Sequence, residues 1–581
     1  MEKSALLTDR VRVVASAVVL TAALLACAGP SRPASTGQNA PVPQQGRSLA
    51  ISVRVEPASI AARPLRSTFV KVKTTVRLFN AGLDIVDDHN AAKPYLADAL
   101  PQLDTDSWRV LPEGQMETSY HLKPNLTWHD GSPLTAGDFV FAWQVYSTPD
   151  LATSGSLPFS AIDSVTAPDE ATLRIHWRRL YPYAGVLQTT GDTSEFPALP
   201  RHILEPAYQA ADWDSFGNLP YWTSEFVGAG PYRLDRWEPG VLIDGSAFEG
   251  HVLGRPKIDR VHITFVSDAN ATLANLLSGS IQLAADDSLG FQQGITAKRE
   301  WASTSGGVML VTTDLWRAIY FQFRPDVASP AATLDLRVRK ALAHAIDKQI
   351  LNDTLYEGEG MMSETILPPG VDYSATVAQS VTSYPFDVRE TDRLMGEAGY
   401  RKGPDGFYTT PAEGRFSPEL KVNASVQYES ERSVVASGWR QAGIDVQEAV
   451  LPASQAQDPV LRATFPSMYA FSTGLGERAL PNFSSTAIPK PENRWTGNNR
   501  EAWVNSDYDR LLQAFNTTLD RDERIRQIAQ MVGILTDQLP AISLYYDLGA
   551  VAYVSALQGP GSVAPDTTGL VSWNVHEWTL R

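Results

Sequence analysis

Cysteine is almost absent. The 581 residues contain one, Cys27, which excludes an intrachain disulfide and a cysteine metal cluster. Catalytic signatures are missing as well. There is no G-x-S-x-G elbow, no H-E-x-x-H, no P-loop and no C-x-x-C, and the histidines are dispersed. No catalytic residue, metal or cofactor is therefore expected. A hydrolase with a triad gathered from distant positions is a distant alternative, because such sites are defined by geometry. Basic blocks are missing too. Lys plus Arg number 49 against 65 Asp plus Glu, a net charge of −16, which argues against nucleic acid as a partner. There is no internal repeat, and no second long apolar run follows the N-terminus.

The N-terminus does carry a signal pattern. Lys3, Arg10 and Arg12 precede an apolar run from Val13 to Leu25, too short to span a bilayer comfortably as a mature helix. It ends in Leu24-Leu25-Ala26-Cys27, which resembles a bacterial lipoprotein signal, so Cys27 is expected to carry lipid. The bland alternative is an incidental cysteine in a cleaved secretory signal. Residues 1–26 are then a removable signal. Residues 27–48, rich in Pro, Ser, Gln and Gly, form a tether beside the membrane.

The remainder has a globular composition, 43% hydrophobic and 20% charged for the whole chain, and is long enough for two or three domains. Its most informative stretch is Tyr120–Trp143. Alternation at Tyr120 and Leu122 predicts a strand, and Asp130-Gly131 a turn. Thr135 and Asp138 predict a capping box opening a helix through Phe139, Val140, Trp143 and Tyr146. Periodicity alone gives no more than an ordinary strand, turn and helix.

The residues themselves say more. Leu122-Lys123 and His129 through Phe139 resemble the signature of the extracytoplasmic solute-binding proteins of peptide-type ABC importers, solute-binding family 5. Further blocks follow in order: Leu78–Leu83, Gly228-Ala229-Gly230-Pro231-Tyr232, the run Asp335–Leu351, and Thr365–Pro369. Asp387–Tyr400, Trp439–Val446 and Ala541–Tyr546 complete the set. The Gly-Ala-Gly is no dinucleotide fingerprint, since Pro231 would break the helix that such a motif needs. Asp335–Leu351 is expected as one amphipathic helix capped by Asp335.

The resemblance implies an α/β fold: a large type II periplasmic-binding-protein architecture with two lobes and an additional N-terminal subdomain. On that reading lobe I takes 49–77, 226–315 and 548–581, the subdomain 78–225, and lobe II 316–547. It implies capture of a solute, an oligopeptide or dipeptide first, between the lobes, and delivery to ABC permease subunits by a lipid-anchored monomer outside the cytoplasm. Surface sensing or partner binding by the same fold is the alternative, as is a non-peptide solute such as an oligosaccharide. Candidate ligand residues are Glu56, Phe159, Asp286, Trp316, Tyr320, Tyr469, Phe471 and Tyr545. Each has a plainer reading, a solvated loop acid or a core aromatic. Asp286-Asp287 are expected in a loop. Peptide binders of this type usually place an acid near Phe465–Asn482 to meet a free amino terminus, but here none comes before Glu477.

Overall fold

Ten strands form one sheet that runs through two large hydrophobic cores and a small third one around Leu276, Leu289 and Trp301. In chain order they are β1 (Ser48–Val53), β2 (Tyr232–Glu238), β3 (Leu242–Ala247), β4 (Arg260–Phe265) and β5 (Leu283–Gly290). There follow β6 (Gly307–Phe321), β7 (Glu419–Asn423), β8 (Gln447–Leu451), β9 (Met468–Gly474) and β10 (Ala541–Val554). Their spatial order is β8-β7-β9-β6-β10-β5-β1-β4-β3-β2. The computed structural model describes residues 47–65, 72–151, 157–187, 196–412, 414–561 and 571–581. The signal, Cys27 and the tether as far as residue 46 lie outside them. The end expected for the tether, Arg47 and Ser48, is part of the fold, since Arg47 N donates to Asp259 at 2.9 Å and Ser48 opens β1. No helix among the described residues is long and apolar enough to cross a membrane.

Two cores mean two lobes. One core gathers buried residues from 49–285 and 551–578, and the other from 291–548. Only β6 and β10 run the full distance between them, paired antiparallel from Gly307↔Val554 to Tyr320↔Ala541. Both exceed their sequence-predicted lengths, Ala318–Phe323 and Ala541–Tyr546, because each also lends its other half to the first lobe. Residues 78–225 carry a separate four-stranded sheet built of Trp108–Val110, Met116–His121, Thr172–Trp177 and Ile162–Thr166. Their buried side chains share the first core with β1 and β4.

The signature blocks meet at one point, which explains their residue types. His129 accepts from Gly228 N at 3.2 Å through Nδ1, and its Nε2 lies 3.0 Å from the Gly230 carbonyl. A methyl group on Gly230 would sit 2.3 Å from Asn80 N, and one on Gly228 2.1 Å from the Phe79 carbonyl. Glycine is required here by close approach rather than by backbone angle. Burial holds the His129 imidazole neutral, with its pKa drawn down to about 4.

Helices begin where side chains can cap them. Those used below are α1 (Lys73–Phe79), α2 (Ala136–Ser147), α3 (Leu336–His344), α4 (Lys348–Tyr356), α5 (Val388–Glu397), α6 (Val426–Ala442) and α7 (Arg521–Gln538). Thr135 N donates to Asp138 at 2.8 Å, closing the predicted box at the start of α2. Asp335 caps α3, accepting from Arg337 N at 2.8 Å, an interaction that contributes about 1 kcal/mol. The single helix expected over Asp335–Leu351 is two. Asp347 accepts from Gln349 N and Ile350 N and so starts α4 afresh. Asp387 caps α5, but Glu390 turns to Arg393 rather than back to the cap.

Candidate functional site

The two crossing strands and β9 carry a different chemistry on each face, as alternation requires. Trp316 pairs with Thr473 and Tyr546, and Arg317 pairs with Ser472 and Tyr545. On the face under α6, Arg317 grips Glu431 with two bonds, Nε at 2.9 Å and Nη2 at 2.8 Å. Both side chains are buried. The Tyr428 ring lies 3.8 Å from the guanidinium, and Tyr545 donates to Glu431. Tyr428 and Ser472 donate to Asp547, at 3.1 and 3.4 Å. Burial alone would favour a neutral guanidine, but Glu431 holds Arg317 far above its usual range.

The opposite face is aromatic. Tyr320 and Phe471 stack at 3.8 Å, Trp316 meets Tyr320 edge-on at 5.9 Å, and Tyr469 leans on Phe471 at 5.1 Å. Phe483 closes against Trp316 at 6.2 Å. Arg500 lies 4.8 Å over the Phe471 ring. Trp316 Nε1 and Tyr320 Oη are buried without a protein partner. The buried Glu501 carboxylate also lacks one, and burial pushes its pKa up to about 8. Such orphan groups are costly unless water or a ligand meets them.

Five of the eight sequence-named residues, Trp316, Tyr320, Tyr469, Phe471 and Tyr545, are thus gathered on this one part of the sheet. The other three lie in the first lobe. Glu56 spends both oxygens on the β2–β3 hairpin, accepting from Trp237 Nε1 at 2.7 Å and Gly240 N at 2.9 Å. Phe159 packs on Tyr146 and Phe196, with the Arg63 guanidinium 4.5 Å above it. Asp286 is buried within β5, not in a loop. Positive φ angles of 47° and 59° at Asp286 and Asp287 break the strand and turn the first carboxylate inward. It caps α1, accepting from Thr74 N, Thr75 N and Thr75 Oγ1 at 2.9, 2.9 and 2.8 Å. Burial raises its pKa, and these bonds oppose the rise.

The lobes also touch away from the crossing strands. Tyr183, packed on the first core, donates to Glu477 at 2.8 Å and accepts from Arg524 at 2.5 Å. Its ring lies between the guanidinium groups of Arg478 and Arg524, at 4.5 and 4.4 Å. Glu477 is held further by Arg521 at 2.7 Å. Beside the crossing strands, lobe II carries a mostly apolar groove of about 540 Å³, walled by Met362, Leu367, Pro368, Val377, Val381 and Tyr546. Tyr183, Arg317, Glu431 and Arg500 were not singled out from the sequence. Only Arg317, a lone charge inside W-R-A-I-Y-F, left a signal there.

Two large cores are joined by crossing strands and touch at a second point, and sequence comparison says which family has this arrangement. The family model for bacterial extracellular solute-binding proteins, family 5 (middle portion), matches residues 99–491. The chain belongs to this family. The oligopeptide-binding protein AppA of Bacillus subtilis (strain 168) is 23% identical over 559 residues, covering 93% of this chain and 94% of that protein. The structure of an oligopeptide-binding protein from Thermus thermophilus, complexed with a pentapeptide, aligns with a TM-score of 0.69 at 22% identity. That alignment covers 92% of this chain and 96% of the other. NikZ from Campylobacter jejuni, in complex with Ni(L-His), aligns with a TM-score of 0.70 at 21% identity, covering 92% and 99%. The likeness establishes the two-lobed fold for this family 5 protein.

Proposed function

We propose that this solute-binding protein is the receptor of an ABC importer, held at the outer face of the membrane by lipid on Cys27. It takes up an oligopeptide or dipeptide between its lobes and presents the closed form to the permease. The observation that carries this reading is the pair of large cores connected by two crossing strands, with a second polar contact between them at Tyr183. The solute acts by binding the closed form better than the open one. The peptide assignment draws on the peptide-binding relatives. One observation favours a second reading, a non-peptide solute or a sensing role. Glu477, the first acid after β9, is occupied by Arg521, Arg524 and Tyr183, and so does not stand free for an amino terminus.

Native mass spectrometry of the full chain, purified gently in detergent and then denatured, tests the proposal. A released peptide is the expected result. A released sugar or metal chelate would overturn the peptide assignment and keep the receptor. An empty protein whose scattering profile stays unchanged with peptides, sugars and chelates would overturn the receptor.

A further inference from the structure

The groove beside the crossing strands adjoins a smaller cavity of about 30 Å³, and Glu364 and Thr365 line both. The smaller space has room for a water-sized group. Every residue lining either one lies between Trp316 and Tyr546, so both belong to lobe II. The groove, at about 540 Å³, falls within the roughly 300–1,000 Å³ of small-molecule sites. Its walls are held by bonds of the protein itself. Tyr546 N donates to the Met361 carbonyl at 2.9 Å and Ser363 N to the Leu544 carbonyl at 3.1 Å, so the chain around Met362 is paired to β10. Tyr546 Oη donates to the carbonyls of Thr365 and Leu367 at 3.0 and 2.5 Å.

The polar groups around the smaller cavity are balanced in charge and carry unused hydroxyls. Its one cation and its one acid satisfy each other: Lys348, at the start of α4, donates to Glu364 and to the Ser363 carbonyl, both at 2.7 Å. Ser543 pairs with Ala318 and so shares the face of Trp316 and Tyr320. It lines the cavity, is more than nine-tenths buried, and among the described residues nothing bonds its hydroxyl. Thr365 Oγ1 accepts from Leu367 N at 3.4 Å and keeps its proton uncommitted. Trp316 lines the same cavity, and its Nε1 has no protein partner. A buried hydroxyl without a partner is costly unless water or a ligand meets it. A charged ligand group would find no uncompensated counter-charge here and would lose its water at a cost. A neutral hydroxyl or carbonyl avoids that cost and meets the free hydroxyls.

We propose that the groove and the cavity form a second binding site, separate from the space between the lobes, for a neutral amphiphile. Its apolar body lies along Met362, Leu367, Val377 and Val381, and its hydroxyl or carbonyl end meets Ser543 and Thr365. The assignment does not rest on the peptide reading, because no residue of the first core lines the site.

Met362 is a built-in reporter. The full chain, held in lipid nanodiscs and isotopically labelled in its methionine methyl groups, is titrated with hexanol while NMR follows the Met362 signal, identified by M362L. Hexanol should move that signal saturably and leave Met309, which lines neither space, in place. A378W, at an exposed position on the groove wall, should abolish the shift without lowering the thermal midpoint. If it does lower the midpoint, A375W on the same wall takes its place. S543A should weaken hexanol about fivefold. Hexanoate and hexylamine should bind about tenfold more weakly than hexanol. No saturable shift, or an unchanged shift with the groove filled by tryptophan, would overturn the site. Equal binding of the three head groups, or equal binding of hexanol to S543A and wild type, would overturn the neutral amphiphile. Random pentapeptides are the last probe, with captured species read by mass spectrometry. If they displace hexanol from Met362, the groove belongs to the transported solute and the separate site falls. Peptide captured with the hexanol shift intact supports two sites. Hexanol bound with no peptide captured supports the groove and sinks the peptide reading alone.

Discussion

The buried histidines of lobe I and the buried ion pair of lobe II hold their surroundings in opposite ways. Lobe I buries histidines as neutral hydrogen-bonding parts. His129 ties the signature turn to Gly228 and Gly230, and His251 joins the Tyr95 hydroxyl to the Gly254 carbonyl, both at 2.8 Å. Burial draws each imidazole down to about 4. Lobe II instead keeps full charges beneath its sheet, at Arg317 and Glu431, and leaves Glu501 buried with no partner. A neutral group with both ring nitrogens engaged fixes backbone at modest cost. An internal charge is tolerated only while its partner stays. The two histidines therefore read as scaffold, and the Arg317–Glu431 pair as a charge balance on which its surroundings depend.

The sharpest way to break this contrast is to remove one charge. E431Q leaves Arg317 buried without a counter-charge and turns one of the two oxygens that accept from Arg317 and Tyr545 into an amide donor. The expected loss is about 3–5 kcal/mol of stability, confined to lobe II. Hydrogen exchange read by mass spectrometry should show β7, β9 and α6 losing protection while β1 and β4 keep theirs. The paired replacement R317M/E431L should recover most of the loss. Equal loss in both lobes would show that the crossing strands fuse the two cores into one cooperative unit.

The pH dependence should also split. An unfolded histidine takes up a proton near pH 6.5, whereas His129 and His251 do so only near 4. Acid thus favours the unfolded chain. The stabilisation is complete above about 6.5 and falls away as pH drops toward 4, by roughly 3 kcal/mol for each histidine. Glu501 has the opposite sign. Its pKa rises from 4.5 to about 8, mainly by burial and against the pull of Arg500 and Arg324, so its contribution is full below 4.5 and is lost as pH climbs through 8. Exchange measured across this range should show lobe I weakening in acid and lobe II in base. E501Q should flatten the alkaline arm alone. Parallel loss in both lobes would dissolve the distinction.

How far the sequence revealed this depends on how local each cause is. The Asp130-Gly131 turn, the Thr135–Asp138 box and the Asp335 and Asp387 caps are settled within a few residues, and they stand where the spacing placed them. Asp347 restarts a helix with equally local chemistry, but the apolar stripe running on to Leu351 concealed it. Asp286 read as a loop acid because its partners, Thr74 and Thr75, lie more than two hundred positions away. The aromatic residues of β6 and β9 were legible from alternation, and they do meet. The place of Arg500 over Phe471 was not, because a late turn meets β9 only in the folded chain.

The smallest effect concerns a direct polar contact between the lobes through a single side chain. Y183F keeps the ring between Arg478 and Arg524 and deletes only the hydroxyl, which bonds Glu477 and Arg524. Charge-assisted bonds of this exposure contribute about 1–2 kcal/mol net. Lobe II loses none of its own core by the change, so its exchange protection should hold, unlike that of E431Q. What should move is the balance between open and closed forms. X-ray scattering should show a larger radius of gyration without solute and recovery at saturation, and solute affinity should weaken by up to about tenfold. If the radius and the affinity both stay at wild-type values, the hydroxyl is not what holds the lobes together, and closure rests on the crossing strands alone.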